Sequence, residues 1–523
     1  MAFTINDGVL EQYTEEAGVT DVVIPEGVTE IKSSAFNGSN ITSVYIPDSV
    51  RIIGSSVFYN CKQLRTVRLS EQLDELKIAV FSKCVSLEKI VIPDSVSSIG
   101  FIAFSECVRL RDITLPSGLS FCSGTAFDGT PWLEHYLEEH EFFTAGNILV
   151  YCKPKSDTVI LPEHITEIEE CCEFPKNIRK IVFSPGIRTI PDSLLHESEQ
   201  LEEVVLPEAL MEISADAFSY CSSLRRIVFP EGLTSISAFA FANCTALEDV
   251  HFPSTLKEIG ARAFEHCPQL KHVTLPDNCT VIWNDAFSFF SIDEVLIPAH
   301  FTDGKSFTRA FFSKTIGNIR IAPENEALTL VDGVLYSKDM KVIYYVPTET
   351  EQINIPETVE EIADHAFLNC DKLTSVTLPQ SVARIGVKTF QGCSSLTNIS
   401  IPDGVKEVLM AAFNNCTNLK KVTLPDSLTS ITAYAFANTA IERIELPKQL
   451  TLLGDGAFEY CEALTEVIMP ETVIQSQFYE DGDWEGDCYG SYDVESEEDL
   501  LKSVFKGTPW LKLLGYAKDE EAE

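Results

Sequence analysis

The chain has 523 residues, a formal net charge of −40 at pH 7, 45% hydrophobic residues and 32 phenylalanines. This hydrophobic content excludes a disordered chain, and no apolar run approaches the roughly 20 residues that a membrane-spanning helix needs. The negative charge argues against general nucleic-acid binding and against insertion at anionic membranes, because polyanions attract clustered Lys and Arg. A chain of this length exceeds one ordinary hydrophobic core, which predicts several domains or a repeat.

The first residues, MAFTINDGVLEQY, carry neither the basic nor the apolar region of a secretory signal peptide. We therefore expect a cytoplasmic protein, with an extracellular or cell-surface location as the alternative. The same residues place Gly8 between two short β-prone stretches. This pattern predicts an N-terminal hairpin cap over residues 1–18.

From residue 19 onward a unit of 23 residues repeats, marked by a proline after an apolar pair, as at Pro207, Pro230, Pro253 and Pro276. Its consensus is P-x-x-V-x-x-I-x-x-x-A-F-x-x-C-x-x-L-x-x-V-x-L, in about 18 copies. The V-x-L alternation predicts one strand per coil, which the proline ends, and these strands stack into a parallel sheet. The A-F-x-x-C segment breaks that alternation, so we expect a helical or 3-10 turn with an inward Phe.

Three copies carry a family resemblance: IPDSVRIIGSSVFYNCKQL (46–64), FPEGLTSISAFAFANCTAL (229–247) and LPQSVARIGVKTFQGCSSL (378–396) resemble BspA-like, treponemal-type leucine-rich repeats. The resemblance implies a right-handed leucine-rich-repeat superhelix. We therefore expect a β-rich repeat solenoid with a parallel sheet and short helical or 3-10 turns, interrupted by β-hairpin modules. It also implies proteins that act mainly as surface or host-interacting binders.

The period breaks twice, and each break repeats the Gly-bearing hairpin pattern of the N-terminus. We predict hairpin modules over 138–155 and 323–349. The resulting division is array 1 over 19–137, array 2 over 156–322, array 3 over 350–516 and an acidic tail over 517–523.

Arrays 1 and 3 both end in the string GTPWL, at 129–133 and 507–511. Thr130 and Thr508 take the repeat Cys position there, and the following proline suits the first position of a helix. The tryptophan can then cover the exposed end of the core. We interpret both strings as caps.

Ten of the 16 cysteines occupy the F-x-x-C position, one in each of ten coils. Stacked identical side chains have the wrong mutual orientation for a disulfide, so we expect a buried ladder of reduced cysteines. These cysteines are Cys61, Cys84, Cys107, Cys221, Cys244, Cys267, Cys370, Cys393, Cys416 and Cys461.

Catalytic and metal motifs such as G-x-S-x-G, C-x-x-C and H-E-x-x-H are missing from the sequence, so we expect neither an enzyme nor a bound cofactor. One weak metal candidate is the acidic insertion over 474–500. Asp481, Asp483 and Asp487 follow a calcium-loop spacing there, but Tyr492 stands where the loop needs Glu. We expect a flexible acidic insertion that does not bind calcium.

The x positions of L-x-x-V-x-L point away from the core and form one broad face across coils. This face is predicted to bind a protein partner, although the alternative is that its cross-strand charge pairs only keep the sheet soluble. We predict a protein–protein interaction scaffold, with a secreted or surface adhesin as the alternative. The candidate partner-binding residues are Arg65, Arg68, Arg179, Lys180, Arg225, Arg226, Lys271, His272, Lys420 and Lys421.

Overall fold

The computed structural model describes residues 3–311, 316–470 and 497–514. The chain forms a β-solenoid of about 20 turns with parallel sheets and little helix, as the repeat predicted. Its packing divides it into two units, Met1–Ala246 and Leu247–Glu523. The division falls inside predicted array 2. Among the described residues, no helix is both long and apolar enough to cross a membrane.

Each coil contributes two strands, where the sequence predicted one. The expected strand has three residues in most coils, and its middle residue pairs in register with the next coil, as Val22 does with Val44. The second strand has two residues, at the x-I pair of the repeat, and Ile31 pairs there with Ile53. A two-residue strand buries only its Ile and leaves no alternation to recognise, which is why the sequence did not predict it.

The first unit contains nine strands of each kind within its described residues. Its three-residue strands are Asp21–Val23, Ser43–Tyr45, Thr66–Arg68, Lys89–Val91, Asp112–Thr114, Thr158–Ile160, Lys180–Val182, Glu203–Val205 and Arg226–Val228. Its two-residue strands are Glu30–Ile31, Ile52–Ile53, Glu75–Leu76, Ser98–Ile99, Phe121–Cys122, Glu167–Ile168, Thr189–Ile190, Glu212–Ile213 and Ser235–Ile236.

The second unit follows the same plan, with two longer strands near its start. Its three-residue strands are Asp249–His251, His272–Thr274, Gln352–Asn354, Ser375–Thr377, Asn398–Ser400, Lys421–Thr423, Arg443–Glu445 and Glu466–Ile468. The two longer strands are Ile292–Ile297 and Ile316–Ile321. Its two-residue strands are Glu258–Ile259, Val281–Ile282, Glu361–Ile362, Arg384–Ile385, Glu407–Val408, Ser430–Ile431 and Leu452–Leu453.

Antiparallel hairpins lie at the three places where the sequence indicated them. The first two pair Phe3–Asn6 with Val9–Tyr13, and Phe142–Ala145 with Ile148–Cys152. The third is a three-stranded meander of Leu328–Val331, Val334–Ser337 and Val342–Tyr345. The last strand of each hairpin pairs in parallel with the two-residue strand that follows. Each hairpin therefore starts a new parallel ladder.

The A-F-x-x-C segment is a run of turns in the described coils, closed by i→i+3 hydrogen bonds such as that from the Tyr59 amide to the Ser56 carbonyl at 3.1 Å. Two residues per coil have left-handed backbone there, as in Ser56 (φ 58°) and Asn60 (φ 60°). That backbone directs alternate N–H groups toward the next coil, and Ser56, Phe58 and Asn60 donate to the carbonyls of Ile78, Val80 and Ser82 at 2.8–2.9 Å. Hydrogen bonds between coils thus alternate with the turn bonds made within each coil.

The core is a stack of phenylalanines with a ladder of thiols beside it. Phe58, Phe81, Phe104 and Phe127 are fully buried, and successive ring centroids are 5.3–5.5 Å apart. The cysteines of the described residues are free, as predicted, and their sulfurs have a role that the sequence did not indicate. Most of the ladder thiols donate to the Phe carbonyl of the preceding coil, as Cys84 does to Phe58 at 3.1 Å, whereas Cys221 donates to the Leu195 carbonyl.

In the part of the chain that the structure describes, four helices interrupt the coils: α1 (Pro131–Glu139), α2 (Gly304–Ala310), α3 (Glu497–Val504) and α4 (Pro509–Leu513). Helices α1 and α4 begin at the predicted prolines. The Thr130 and Thr508 hydroxyls accept hydrogen bonds from the amides of Leu133 and Leu511. The tryptophans pack on the end of the Phe stack, with Trp132 at 4.8 Å from Phe127. Helices α2 and α3 were not predicted.

Candidate binding face

The strand face consists of the outward side chains of the strands with three or more residues, together with the residue before each of these strands. In Arg226–Val228, Ile227 is buried, whereas the side chains on either side of it are exposed. Val228 is 79% exposed. The coil thus fixes the middle residue of each strand and leaves three outward positions free to vary.

All ten predicted basic residues lie on the strand face, six in the first unit and four in the second. Arg179 and Lys180 lie two coils before Arg225 and Arg226 in the first unit. A hairpin lies between them and the pair Arg65 and Arg68 along the chain. In the second unit, His272, Lys420 and Lys421 are exposed, and Lys271 donates to the Ser291 carbonyl at 3.4 Å.

The charged guanidinium of Arg68 already contacts polar and aromatic groups of its own unit. Its guanidinium donates to Asp48 at 2.6 Å and to the Ile46 carbonyl at 2.8 Å, and it lies 5.0 Å above the Tyr45 ring. The hydrogen bond from Arg68 also lowers the pKa of the Asp48 carboxyl. Of the ten candidates, Arg68 is therefore poorly placed to contact a partner.

Four adjacent coils of the first unit form what we call the alternating patch, residues 157–160, 179–182, 202–205 and 225–228. The signs of its charges change from coil to coil, from Asp157 through Arg179 and Lys180 to Glu202 and Glu203, and then to Arg225 and Arg226. Arg179 contacts Glu202 at 2.6 Å, and Lys180 contacts Glu203 at 2.7 Å. These pairs are the cross-strand bridges that would also keep a wide sheet soluble.

An exposed aliphatic row runs beside these charges at the last outward position of each coil. Ile160 is 64% exposed, Val205 40% and Val228 79%, and Val182 is half-buried between them. The sequence analysis missed this row, although the signal was present as Ile or Val at the same repeat position in four successive coils. Solubility explains the charge pairs and leaves the exposed row unexplained, because contiguous apolar surface marks interaction sites.

Two shallow depressions lie on the alternating patch. The larger, of about 460 Å³, is lined by Asp157, Thr158, Arg179, Lys180, Glu202 and Glu203. The second borders Glu202, Ser222, Ser223, Arg225 and Ala246. Both are lined mainly by charged and hydroxyl side chains, and such shallow surfaces suit a macromolecular partner better than an enclosed small molecule.

Two neighbouring coils of the second unit carry a contrasting surface, which we call the hydroxyl patch. Its outward side chains are short, uncharged and exposed: Thr374, Ser375, Thr377, Thr397, Asn398 and Ser400. The strands beneath have the same length and the same buried middle residue as in the alternating patch. The two patches therefore differ in their outward residues and share their backbone plan.

Reactive cysteine and metal chemistry find little support on the described residues. Burial raises the pKa of Cys107 and Cys416 to about 12, so these thiols stay protonated near neutral pH. Cys171 is exposed, whereas Cys172 is buried with its sulfur 4.0 Å from that of Cys152. No metal-binding group of three or more His, Cys, Asp or Glu occurs within these ranges. Asp481, Asp483 and Asp487 lie outside them.

Comparison with known proteins places this geometry in context. The family model "BspA type Leucine rich repeat region (6 copies)" matches residues 11–134, 79–201, 139–225, 188–318 and 341–465. No match was found among curated proteins.

Three solved structures illustrate the similarity. A leucine-rich repeat protein from Bacteroides ovatus is 20% identical, covering 90% of this chain and 87% of that chain, with a TM-score of 0.21. A leucine-rich cell surface protein from Faecalibacterium prausnitzii is 23% identical, covering 89% and 92%, with a TM-score of 0.29. A leucine-rich repeat protein of T. pallidum is 24% identical, covering 41% and 82%, with a TM-score of 0.20.

Proposed function

Because the chain belongs to the BspA-type leucine-rich repeat family, we propose that it is a non-enzymatic protein-interaction scaffold that binds through its strand face. Leucine-rich repeat solenoids are typically binding scaffolds. We place the scaffold in the cytoplasm, because the free cysteines of the described residues suit a reducing compartment. Finding the protein on the cell surface or in the medium after fractionation would instead favour the adhesin alternative.

The observation that carries this proposal is the aliphatic row beside the charges of the alternating patch. A sheet that needs only solubility places polar side chains at its outward positions, as the hydroxyl patch does. Val228 and Ile160 instead expose most of their apolar surface. A partner that covers the row removes this surface from water, which contributes about 25 cal/mol for each Å² buried.

The charges beside the row give the partner its orientation and its encounter rate. Four basic side chains of the alternating patch stand in a chain whose net charge is −40, so they attract a protein with an acidic or mixed surface. Exposed charge pairs add little affinity of their own and are screened by salt. The association rate should therefore fall as ionic strength rises.

The test reverses the charge of two side chains on the alternating patch. As a control, it reverses the charge of one side chain outside this patch. Arg225→Glu together with Arg226→Glu should leave circular dichroism and the melting temperature almost unchanged, since exposed substitutions stay within about 0.5 kcal/mol. The same change should reduce capture of the proteins that the wild-type chain retains from its own cell extract. Glu208→Lys, at an exposed position after the strand Glu203–Val205, should leave capture intact. Loss of capture in the Glu208 variant alone would place the binding surface elsewhere.

A further inference from the structure

We infer that the alternating patch binds a second copy of this chain. The two copies would pair face to face with their solenoid axes antiparallel. Their two-fold axis would run parallel to the strands, between Lys180–Val182 and Glu203–Val205. The inference rests on the proposed function in one respect, namely that the strand face is a binding surface.

A two-fold interface requires a surface that is complementary to itself, so that residue i meets residue j and residue j meets residue i. A rotation axis parallel to the strands reverses the order of the coils and keeps each side chain at its position along the strand. The coil of Lys180–Val182 then faces that of Glu203–Val205 in the other copy. The coil of Thr158–Ile160 likewise faces that of Arg226–Val228.

The charges of the two inner coils satisfy this condition. Arg179 and Lys180 of one copy meet Glu202 and Glu203 of the other, and the same contact forms again on the opposite side of the axis. Within one chain the Arg179–Glu202 and Lys180–Glu203 contacts already measure 2.6 and 2.7 Å. Two such bridges brought together in reversed order form a network in which each charge has neighbours of opposite sign.

The outer coils follow the same rule. Asp157 of one copy comes opposite Arg225 of the other, and Thr158 comes opposite Arg226. All four side chains are exposed on the strand face. Opposite charges thus meet across the outer coils as they do across the inner ones.

The aliphatic row is self-complementary under the same rotation. Ile160 of one copy meets Val228 of the other, and Val182 meets Val205. The four residues hold the same position in their coils, so the two rows align along their length. Strands of the two sheets stay nearly parallel, which is the geometry of aligned sheet packing, with about 10 Å between sheets. At that spacing aliphatic side chains interdigitate.

Net charge favours the alternating patch over acidic parts of the surface as a site for a second copy. Two chains of charge −40 repel each other wherever acidic surface meets acidic surface. The alternating patch carries four basic and three acidic side chains, so it is close to neutral. A second copy can therefore approach here, and the hydroxyl patch offers neither charge complementarity nor an apolar row.

The area of the alternating patch limits the affinity with which two copies of the chain bind each other. Four coils about 4.8 Å apart and four residues of about 3.3 Å each give a footprint on the order of 250 Å². That is smaller than a standard stable interface, so the pair belongs with weak, transient contacts. It should be sought by sedimentation velocity between about 1 and 100 µM, in the affinity range expected of such contacts.

A charge-exchange experiment tests the pairing without relying on one variant. Variant A carries Arg179→Glu and Lys180→Glu, and variant B carries Glu202→Lys and Glu203→Lys. Each should self-associate at least about 10-fold more weakly than wild type, because like charges now face each other. Mixing A with B should restore the dimer, since every facing pair is again opposite in sign. A chain that carries all four changes should dimerise with itself and not with wild type.

The aliphatic row has its own matched pair of variants. Val228→Asp should abolish the dimer within the tested concentrations, and Thr377→Asp, at the equivalent position of the hydroxyl patch, should leave it unchanged. Wild type that stays monomeric at about 100 µM, or a dimer insensitive to Val228→Asp, overturns the inference. If the Arg225 and Arg226 reversal still reduces capture in that case, the proposed scaffold function stands without a second copy. If the dimer forms as described but the reversal leaves capture unchanged, the proposed partner binding fails instead.

Discussion

The alternating patch and the hydroxyl patch stand on the same backbone and have different surfaces. Both are built from three-residue strands whose middle residue is buried. In one, charges alternate and aliphatic side chains are exposed. In the other, Thr, Ser and Asn fill the same positions. The coil therefore leaves its outward residues unconstrained, and their composition reflects use of the surface.

The cores beneath the two patches share the Phe stack only in part, because Leu195 and Ser198 take the Phe and Cys positions in the coil of Glu203–Val205, whereas both coils of the hydroxyl patch have Phe and Cys there. Phe218 stacks on Phe241 at 5.1 Å in the first unit, and Phe390 stacks on Phe413 at 5.2 Å in the second. Cys221 donates to the Leu195 carbonyl at 3.3 Å, and Cys416 donates to the Phe390 carbonyl at 3.1 Å. The patches can thus be altered separately from the cores that support them.

The largest expected effects test whether these cores are energetically alike. Phe218→Ala and Phe390→Ala each remove a fully buried ring. Each should lower the free energy of unfolding by about 3–5 kcal/mol by opening a cavity. Because a repeat contacts mainly its neighbours, hydrogen exchange should lose protection near the substituted coil. Uniform loss along the whole chain would show a more cooperative solenoid and would weaken the comparison.

The next largest expected effect is a change of stability with pH in the region of the hydroxyl patch. Burial lowers the pKa of His365, on the turn side of the coil before the hydroxyl patch, to about 4. A folded pKa below the unfolded value of about 6.5 means that the neutral form stabilises the fold, and this contribution is lost as pH falls from 6.5 toward 4. His365→Asn should flatten that loss, measured by hydrogen exchange in this coil.

Asp285 changes the stability with pH in the opposite direction to His365, so its contribution has to be removed in a control. Burial raises the pKa of its carboxyl to about 6, so its contribution is full at low pH and is lost as pH rises through 6. The His365→Asn comparison is therefore best made in an Asp285→Asn background. An unchanged pH profile in that background would show that His365 is not buried as described.

Placing charged side chains on the hydroxyl patch should have only a small effect on the free energy of unfolding. Thr374→Lys with Thr397→Glu introduces a basic and an acidic side chain at exposed positions of adjacent coils. We expect the free energy of unfolding to change by no more than about 0.5 kcal/mol, as for other exposed ion pairs. Chemical denaturation measures it. A change of several kcal/mol would show that outward residues do constrain the coil.

Reductant should have the smallest effect of all on stability, measured as the melting temperature. The described cysteines are free, and burial raises the pKa of Cys221 to about 12. Dithiothreitol should leave the melting temperature unchanged, and alkylation of the native protein should label Cys171 long before Cys221 or Cys416. A clear drop in melting temperature with reductant would contradict both the reduced ladder and the proposed cytoplasmic location.

The parts of the fold that follow a period could be predicted from the sequence. The 23-residue repeat identified the main strands, the buried Phe and Cys positions and the capping role of Thr130 and Trp132. The two-residue strands and the left-handed turns were missed, because hydrogen bonds between coils determine them and these have no residue signature. Ser56 and Asn60 take positive φ without being glycine.

The candidate site was predicted only in part for a related reason. The repeat placed the ten basic residues on the strand face, where the structure has them, but sequence alone could not show that Arg68 is engaged by Asp48. The aliphatic row was missed because Ile160 and Val228 look like ordinary strand residues until their exposure is known. Outward positions follow no folding rule, so function there has to be inferred from exposure and neighbours.

One measurement tests most directly whether the alternating patch serves binding and not folding. Ile160, Val182, Val205 and Val228 are all replaced by Thr, which gives the patch the outward chemistry of Thr377 while keeping β-branched side chains. Binding is measured on the variant, as self-association and as capture from extract, at concentrations where wild type is active. We expect both activities to be lost with an unfolding free energy within about 2 kcal/mol of wild type, from four exposed substitutions. Retained binding in the folded variant would contradict the account.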